Sequence, residues 1–258
     1  MKWSDEYKVH YYYTDYNNVL KPGYIARYMQ ETACNALKNW GPTPKYLKEN
    51  DMGFILAKIS FRYYEEIFED DIIKVETWAN PPKSLIFTRN YRIYKDGKTA
   101  VEAVSSWVLM DIKEKNILRT ENFDEKFMAY DDEKLTFEVQ RRLKMPEEMN
   151  LCEEYKVRYA DIDTNFHMNN VAYIDLICDN LYENKDIISP ELKKRIVSLD
   201  LNYNGEARFA QTIKINKGMM FCIDAEEYYM CAKIKDGDSD SNNGERNCFD
   251  AKIILTRG

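Results

Sequence analysis

The segment from residue 161 to residue 170 concentrates side chains of the types that act on a carbonyl group. They are Asp161, Asp163, Asn165, His167, Asn169 and Asn170. A carboxylate, a carboxamide and an imidazole at alternate positions can fix a loop, orient a water molecule and polarise a carbonyl, as hydrolysis of an ester or thioester requires. The structural alternative is a loop stabilised by Asx turns, for which Asp163 and Asn165 are well suited. The residues alone leave both interpretations open.

A helix is predicted directly after this segment. Apolar residues recur at helical spacing from position 171, namely Val171, Ile174, Ile177, Cys178 and Leu181. Asn169 or Asn170 is expected to cap the helix. His167 then lies just before a helix N-terminus, where unpaired N–H groups and the helix dipole favour developing negative charge. The pattern therefore predicts a strand, a tight polar loop and a helix whose start can hold an oxyanion.

No serine or cysteine stands out as a nucleophile for His167. Cys178 lies further along the predicted helix, about 16 Å away at about 1.5 Å per residue. Ser198 lacks a G-x-S-x-G elbow. Attack by an activated water is the simpler hypothesis, and Glu206, at the end of a predicted strand, is the candidate base. Its structural alternative is a solvent-exposed carboxylate, the usual position of a glutamate.

The first half of the chain is predicted to form one helix and an antiparallel sheet. A strand is expected at residues 7–13, and Pro22 opens a helix that Gly41 and Pro42 end. Further strands are expected at residues 54–64, 72–78, 85–94 and 100–110, with turns at residues 80–82 and 95–98. One helix followed by a meander of long strands indicates an α+β fold in which the sheet folds against the helix.

The second half of the chain repeats the landmarks of the first. Residues 7–9 return at 155–157, 59–66 at 199–206, and 95–97 at 235–237. The motif Asp-x-Asn occurs at 15–17 and again at 163–165, each time before a predicted helix. Landmarks in the same order indicate a tandem duplication. The copies differ at one position that matters for chemistry, since Val19 stands where the second copy has His167.

Composition completes the expected domain organisation. We expect an N-terminal module at residues 1–130, a charge-rich linker at 131–150 and a C-terminal module at 151–258. With 45% apolar and 14% aromatic residues the chain can bury a core. If the chemistry needs the imidazole, only the C-terminal module can perform it.

Charge and cysteine usage exclude several classes of protein. A net charge of −7 argues against nucleic-acid binding. No apolar run of about 18 residues and no basic, apolar leader is present, so we expect no membrane span or secretory signal. The six cysteines form no CxxC pair and read as free thiols, which favours a cytoplasmic location. The acidic run at 236–245 does not fit an EF-hand, because Ser241 occupies the invariant glycine position. We therefore expect no metal and no cofactor.

Several motifs together resemble a known family. Residues 161–175, DIDTNFHMNNVAYID, are similar to the stretch D-x-N-x-H-x-N-N-x-x-Y of the acyl-acyl carrier protein thioesterases, double hot-dog enzymes of plastids and bacteria. The helix segment MQETA at 29–33, the strand segment ETW at 76–78 and the segment SSWVLM at 105–110 also resemble that family. The similarity extends over about residues 7–257.

The resemblance implies a tandem double hot-dog fold, each module a long helix wrapped by an antiparallel sheet. It places Asp163, Asn165 and His167 on the family's catalytic positions. In the plant enzymes a Glu-Cys pair follows in a later strand, whereas this chain has Glu206-Ala207. Because this chain lacks that cysteine, no covalent intermediate can form on it, and attack by a water molecule activated by Glu206 is favoured. Asp163 is the alternative base.

The resemblance also implies the ligand. The substrate is expected to be an acyl thioester of the 4′-phosphopantetheine arm of acyl carrier protein, and the product a free fatty acid. The first module is expected to hold the acyl chain. The residues expected to bind substrate are Asn169, Asn170, Tyr28, Met29 and Trp40. An acyl-CoA thioesterase, a hot-dog dehydratase and a non-catalytic acyl-binding protein are the alternatives, and the chain is expected to be a monomer or a homodimer.

Overall fold

The computed structural model describes residues 1–123, 127, 129–139, 142–181, 194–222, 225–235 and 244–256. The chain divides into two compact units, Met1–Val139 and Gln140–Gly258. Each unit contains an antiparallel sheet and a long helix, so the fold is α+β. The boundary between the units falls inside the segment predicted as a linker. The division of labour between the two modules stays a prediction.

The first unit begins with a strand, a helix and a meander of strands. Its strands are β1 (Trp3–Lys8), β2 (Met52–Tyr63), β3 (Ile72–Lys83), β4 (Ile86–Lys95), β5 (Lys98–Asp111) and β6 (Asn116–Leu118); its helices are α1 (Pro22–Trp40) and α2 (Pro44–Glu49). The strand order is β1-β3-β4-β5-β2, and β6 pairs with the end of β5. Helix α1 packs against β1 and β3. Its buried face includes Ile25, Met29 and Ala33, which recur at helical spacing.

The second unit repeats this arrangement. Its strands are β7 (Asn150–Lys156), β8 (Ile196–Tyr203), β9 (Thr212–Phe221), β10 (Ala225–Lys235) and β11 (Glu245–Thr256), and its long helix is α3 (Asn170–Leu181). The strand order is β7-β9-β10-β11-β8. Each strand occupies the position of its counterpart in the first unit, which supports the tandem duplication inferred from the sequence. The second occurrence of the 95–97 motif and the acidic run mostly lie outside the described residues.

Most predicted elements of the first unit are confirmed. Helix α1 spans Pro22–Trp40, and the β4–β5 hairpin turns at Asp96 and Gly97, whose φ values of 50° and 76° suit a two-residue turn. Two predictions are wrong. Residues 11–13 form a 3-10 turn rather than the end of a strand. Residues 80–82 belong to β3, where a register irregularity between Asn80 and Lys83 accommodates two prolines that cannot donate to the ladder.

Part of the predicted linker lies against the first sheet on the face opposite α1. The indole Nε1 of Trp78 donates to the carbonyl of Glu133 at 2.8 Å. The amide of Asn80 donates to the carbonyls of Asp131 at 2.7 Å and of Glu133 at 2.9 Å. Residues 131–133 are therefore part of the first unit and cover the outer face of its sheet.

A buried carboxylate completes this outer layer. Glu102 is 2% exposed and accepts hydrogen bonds from Arg92 at 2.9 Å, Thr136 at 2.7 Å and Tyr64 at 3.0 Å. Burial alone would raise the pKa of Glu102, but the hydrogen bonds from Thr136, Arg92 and Tyr64 outweigh it and hold the pKa below its usual value. The ionised carboxylate thus joins β5, β4 and the covering segment.

Candidate active site

The polar loop before α3 is a tight turn closed by its own backbone. The N–H of Asp163 donates to the carbonyl of His167 at 3.0 Å, and the N–H of Phe166 donates to the carbonyl of Asp163 at 3.0 Å. The Asp163 carboxylate accepts the N–H of Asn165 at 2.8 Å, which is an Asx turn. Phe166 has a φ of 63°, an uncommon value for a bulky residue. The closed turn holds the strained Phe166 backbone and places His167 at its end.

The first unit contains the same turn without the histidine. The N–H of Asp15 donates to the carbonyl of Val19 at 2.8 Å, and the Asp15 carboxylate accepts the N–H of Asn17 at 2.8 Å. Asn18 has a φ of 63°, equal to that of the matching residue in the second unit. The aspartate and asparagine therefore build the turn in both copies. What is particular to the second copy is His167 at the position of Val19.

His167 faces the other residue predicted for chemistry. Its Nε2 lies 3.3 Å from Oε2 of Glu206, and the two side chains are 28% and 47% exposed. In the described part of the chain, the side chains of Asp163 and Asn165 form no hydrogen bond or ion pair with either group. The structure thus brings together His167 and Glu206, while Asp163 and Asn165 lie in the supporting turn.

Backbone hydrogen bonds join the two segments that carry this pair. The N–H of Met168 donates to the carbonyl of Ala207 at 2.8 Å, and the N–H of Ala207 donates to the Tyr173 hydroxyl at 3.0 Å. Met168 and Ala207 each directly follow a member of the pair, and all three linking residues are buried. Burial raises the pKa of Tyr173, which keeps the phenol neutral. Tyr173 therefore fixes the spacing between His167 and Glu206.

Tyr173 was not predicted to have a role, although the sequence contains a signal for it. It is the tyrosine that ends the motif D-x-N-x-H-x-N-N-x-x-Y, one helical turn after Asn169. Its ring packs edge-on against Tyr203 at 5.4 Å and Phe249 at 6.0 Å between centroids. These ring contacts hold the Tyr173 side chain, and with it the hydroxyl, in place.

The segment carrying Glu206 is also held from β11. The Arg246 guanidinium donates to the carbonyl of Glu206 at 2.6 Å, and the N–H of Gly205 donates to the carbonyl of Cys248 at 3.0 Å. A Cβ atom on Gly205 would lie 2.5 Å from the carbonyl oxygen of Asn247. Glycine is needed here because the two backbones approach too closely for any side chain.

The start of α3 is capped by Asn169. Its side-chain oxygen accepts the N–H of Val171 at 2.9 Å, and its carbonyl accepts the N–H of Ala172 at 2.9 Å. The predicted cap is thus confirmed at Asn169. Within the described residues the N–H of Asn170 has no partner, while the carbonyl of Asn170 accepts the Tyr203 hydroxyl at 2.9 Å. The N–H of Asn170 is therefore the candidate donor to an oxyanion at the start of α3.

Two buried thiols of the second unit, Cys178 and Cys248, lack the character of nucleophiles. Burial raises the pKa of Cys248 to about 12 and raises that of Cys178 further still. All six cysteines are free. Ala207, at the position of the family's cysteine, is fully buried and uses both backbone groups in the links described above.

The three substrate-binding residues predicted in the first unit lie along α1. Met29 is buried at 2% exposure. Tyr28 packs against Tyr7 at 4.5 Å, and its hydroxyl donates to the carbonyl of Lys8 at 3.2 Å. Trp40 meets Trp3 edge-on at 5.2 Å. Their contact with a substrate stays a prediction.

Two expected absences also stay predictions. Within the described ranges, no three His, Cys, Asp or Glu side chains converge to hold a metal ion. No helix in the described part of the chain is both long and apolar enough to cross a bilayer.

Two copies of a long helix with an antiparallel sheet define a double hot-dog protein, whose His–carboxylate pair lies in the second copy. Residues 1–126 match the family model of the acyl-ACP thioesterase N-terminal domain, and residues 144–248 match that of the acyl-ACP thioesterase C-terminal domain. The chain therefore belongs to the acyl-ACP thioesterase family.

Curated relatives agree with this assignment. The chain is 29% identical to oleoyl-acyl carrier protein thioesterase 2, chloroplastic, of Arabidopsis thaliana over 68% of its own length and 52% of the relative's. Over 70% of its length and 55% of the relative's, it is 24% identical to oleoyl-acyl carrier protein thioesterase 1, chloroplastic, of the same plant. The chain thus spans about half the length of these relatives.

The fold is shared with solved thioesterases. A crystal structure of an acyl-ACP thioesterase from Bacteroides thetaiotaomicron superposes with a TM-score of 0.82 at 20% identity, covering 98% of this chain and 97% of that one. The 12:0-ACP thioesterase from Umbellularia californica gives a TM-score of 0.83 at 14% identity, covering 100% and 94%. At these identities the likeness establishes the double hot-dog fold.

Proposed function

We propose that this protein hydrolyses the thioester of acyl-acyl carrier protein and releases a free fatty acid, ending chain elongation. The observation that carries the proposal is the 3.3 Å approach of His167 Nε2 to Glu206 Oε2, beside the start of α3, in a chain of the acyl-ACP thioesterase family. An imidazole and a carboxylate at this distance can share and activate a water molecule.

In the proposed reaction a water oxygen attacks the thioester carbon, and Glu206 accepts the proton of that water. His167 orients the water and the carbonyl. When the tetrahedral intermediate collapses, the carbon–sulfur bond breaks and the phosphopantetheine sulfur takes up a proton. The products are a fatty acid and a free thiol. No acyl-enzyme forms, in agreement with the raised thiol pKa values and with alanine at position 207.

The start of α3 provides the electrostatic part of this mechanism. The N–H of Asn170 is proposed to donate to the oxyanion, and such a donor contributes about 3 kcal/mol to the transition state. Asn169 holds that helix end in place through its cap. Asp163 and Asn165 are proposed to act through the turn that they form, by presenting His167.

The carrier and the division between modules belong to the same proposal. Acyl carrier protein is proposed to present the thioester to the second module, and the first module is proposed to hold the acyl chain, with Tyr28, Met29 and Trp40 among its binding residues. Val19 occupies the position that His167 occupies in the second module, which supports a non-catalytic first module. The free cysteines support a cytoplasmic location.

Release of free fatty acid from a panel of acyl carrier protein thioesters tests the proposal, with the matching CoA thioesters run beside them. We expect hydrolysis with acyl carrier protein as the preferred carrier. Preference for CoA would reassign the carrier, enoyl products would indicate a dehydratase, and acyl retention without product would indicate a binding protein. Any of the last three results would overturn the proposal as stated.

A further inference from the structure

The face of the first sheet that packs against α1, here called the inner face, can be identified from a contact between β1 and α1. The Tyr7 hydroxyl lies 3.0 Å from the Thr32 hydroxyl of α1. Tyr7 pairs with Ile73 on β3. Side chains of residues that pair directly across strands lie on the same face, and residues two apart in a strand share a face. The inner face can therefore be followed from strand to strand.

Arg89 lies on this inner face. Ile73 shares its face with Thr77 and Ala79, and the register pairs Thr77 with Tyr91 and Ala79 with Arg89. Tyr91 is 3% exposed, as expected for an inward position. An arginine thus stands in a row of strand positions that otherwise build a core.

Among the residues that the structure describes, no acidic side chain pairs with the guanidinium of Arg89. Its side chain donates to the Thr77 hydroxyl at 3.4 Å, and the described part of the chain offers it no salt bridge. Its electrostatic partners are Tyr91 and Cys34, the latter on α1. Buried charges in proteins are normally paired, because an unpaired ion loses its hydration without compensation. A cation kept on an inner face without an anion is therefore exceptional.

Arg89 lies on the inner face of the sheet, but its side chain is still partly accessible to solvent. Burial lowers the pKa of its guanidinium, yet the side chain keeps part of its accessible surface. Its cross-strand neighbours are two small residues, Ala79 on β3 and Ser105 on β5. The Ser105 hydroxyl accepts the indole N–H of Trp107 at 2.8 Å. The hydroxyl-bearing side chains of Thr77 and Ser105 thus lie beside Arg89 on the inner face.

The surroundings further along the strands are apolar. Phe87 precedes Arg89 by two residues and pairs with Trp107 on β5. Phe87 lies 5.1 Å from Phe54 and 5.4 Å from Phe123 between ring centroids. Phe54, Phe87 and Trp107 are all half-buried. A ligand that reaches Arg89 along this wall needs an aliphatic body and an anionic group.

We infer that Arg89, with the hydroxyls of Thr77, Tyr91 and Ser105 around it, forms a binding site for a carboxylate carried on an aliphatic chain. The carboxylate supplies a counter-charge and accepts hydrogen bonds from the guanidinium N–H groups. It has two sources, the far end of the substrate's own acyl chain or a separate fatty acid. The first source rests on the proposed function, since it requires the acyl chain to lie in the first module.

Binding of a long-chain fatty acid and of the fatty alcohol of equal length, measured by calorimetry on the full chain, tests the site without turnover. The wild type should bind the acid about tenfold more tightly than the alcohol. Arg89→Met should remove this preference, while Lys74→Met, which deletes an exposed cation on the outer face of β3, should keep it. Equal preference in the wild type and Arg89→Met would overturn the inference.

Two further readouts separate the possible causes. Arg89→Met should unfold at an equal or higher temperature than the wild type, because it removes an uncompensated cation; a large fall in Tm would instead assign Arg89 to the fold and contradict the site. Turnover of thioesters whose acyl chains end in a carboxylate identifies the source, since an Arg89-dependent gain over methyl-ended chains points to the substrate and no gain points to a separate fatty acid. If no thioester is hydrolysed, the proposed function fails while the binding result stands.

Discussion

Replacing Gly205 by alanine should slow catalysis without removing any group that takes part in it. The new Cβ would lie 2.5 Å from the carbonyl oxygen of Asn247 and 2.9 Å from the Arg246 guanidinium, whereas non-bonded contacts of a Cβ atom are essentially never shorter than 3.0 Å. The backbones at Gly205 and Asn247 must therefore separate by about 0.5 Å, and we expect the shift to reach Glu206, which directly follows Gly205. A displacement of about 1 Å costs on the order of 100-fold in rate, so we expect about a tenfold fall in kcat, or about 1.4 kcal/mol in the barrier.

The assay is release of free fatty acid at saturating acyl carrier protein thioester, at a temperature well below the unfolding transition of the variant. Overpacking should also lower the free energy of unfolding by about 1–3 kcal/mol. Gly53→Ala is the matched control, because its Cβ would meet only the flexible end of Ile112 at 2.8 Å. A kcat for Gly205→Ala equal to that of the wild type, or equal losses in both variants, would refute the view that backbone crowding positions Glu206.

Three other perturbations address the supports of the site and the fold. Tyr173→Phe leaves the buried N–H of Ala207 without an acceptor, and should cost about 1–3 kcal/mol in urea unfolding and lower kcat more than it raises KM. Asn169→Ala removes the cap of α3 and should cost about 1 kcal/mol in thermal unfolding, with a fall in kcat. Because the pKa of Glu102 is lowered in the folded state, its stabilisation is present above its usual pKa and is lost as pH falls below it; Glu102→Gln should therefore flatten the acid limb of the stability–pH curve.

The fold could be predicted largely because local signals and global topology agree. Pro22 and Gly41 mark the ends of α1, and positive φ values at Asp96 and Gly97 suit the expected hairpin. The prolines at 81 and 82 misled, because a local irregularity in the β3–β4 ladder accepts them inside a strand.

The site could be predicted only in part. His167 could be recognised because polar residues surround it in the sequence and because the first copy has Val19 at the matching position. That Asp163 forms the turn became clear only from the matching turn at Asp15. The contact of Arg246 with Glu206 depends on how β11 pairs with β8, and no local pattern reports such a long-range register. The unpaired charge of Arg89 was equally hidden, since strand alternation does not say which charges have partners.

The most direct test of the central claim is the single-turnover hydrolysis of an acyl carrier protein thioester by Glu206→Gln, His167→Ala and the double variant. If the two side chains act together on one water molecule, each single change should reduce the rate by about 100-fold or more, and the double variant should be little slower than either single variant. Near wild-type hydrolysis by Glu206→Gln, or fully multiplicative losses in the double variant, would contradict a shared role for His167 and Glu206.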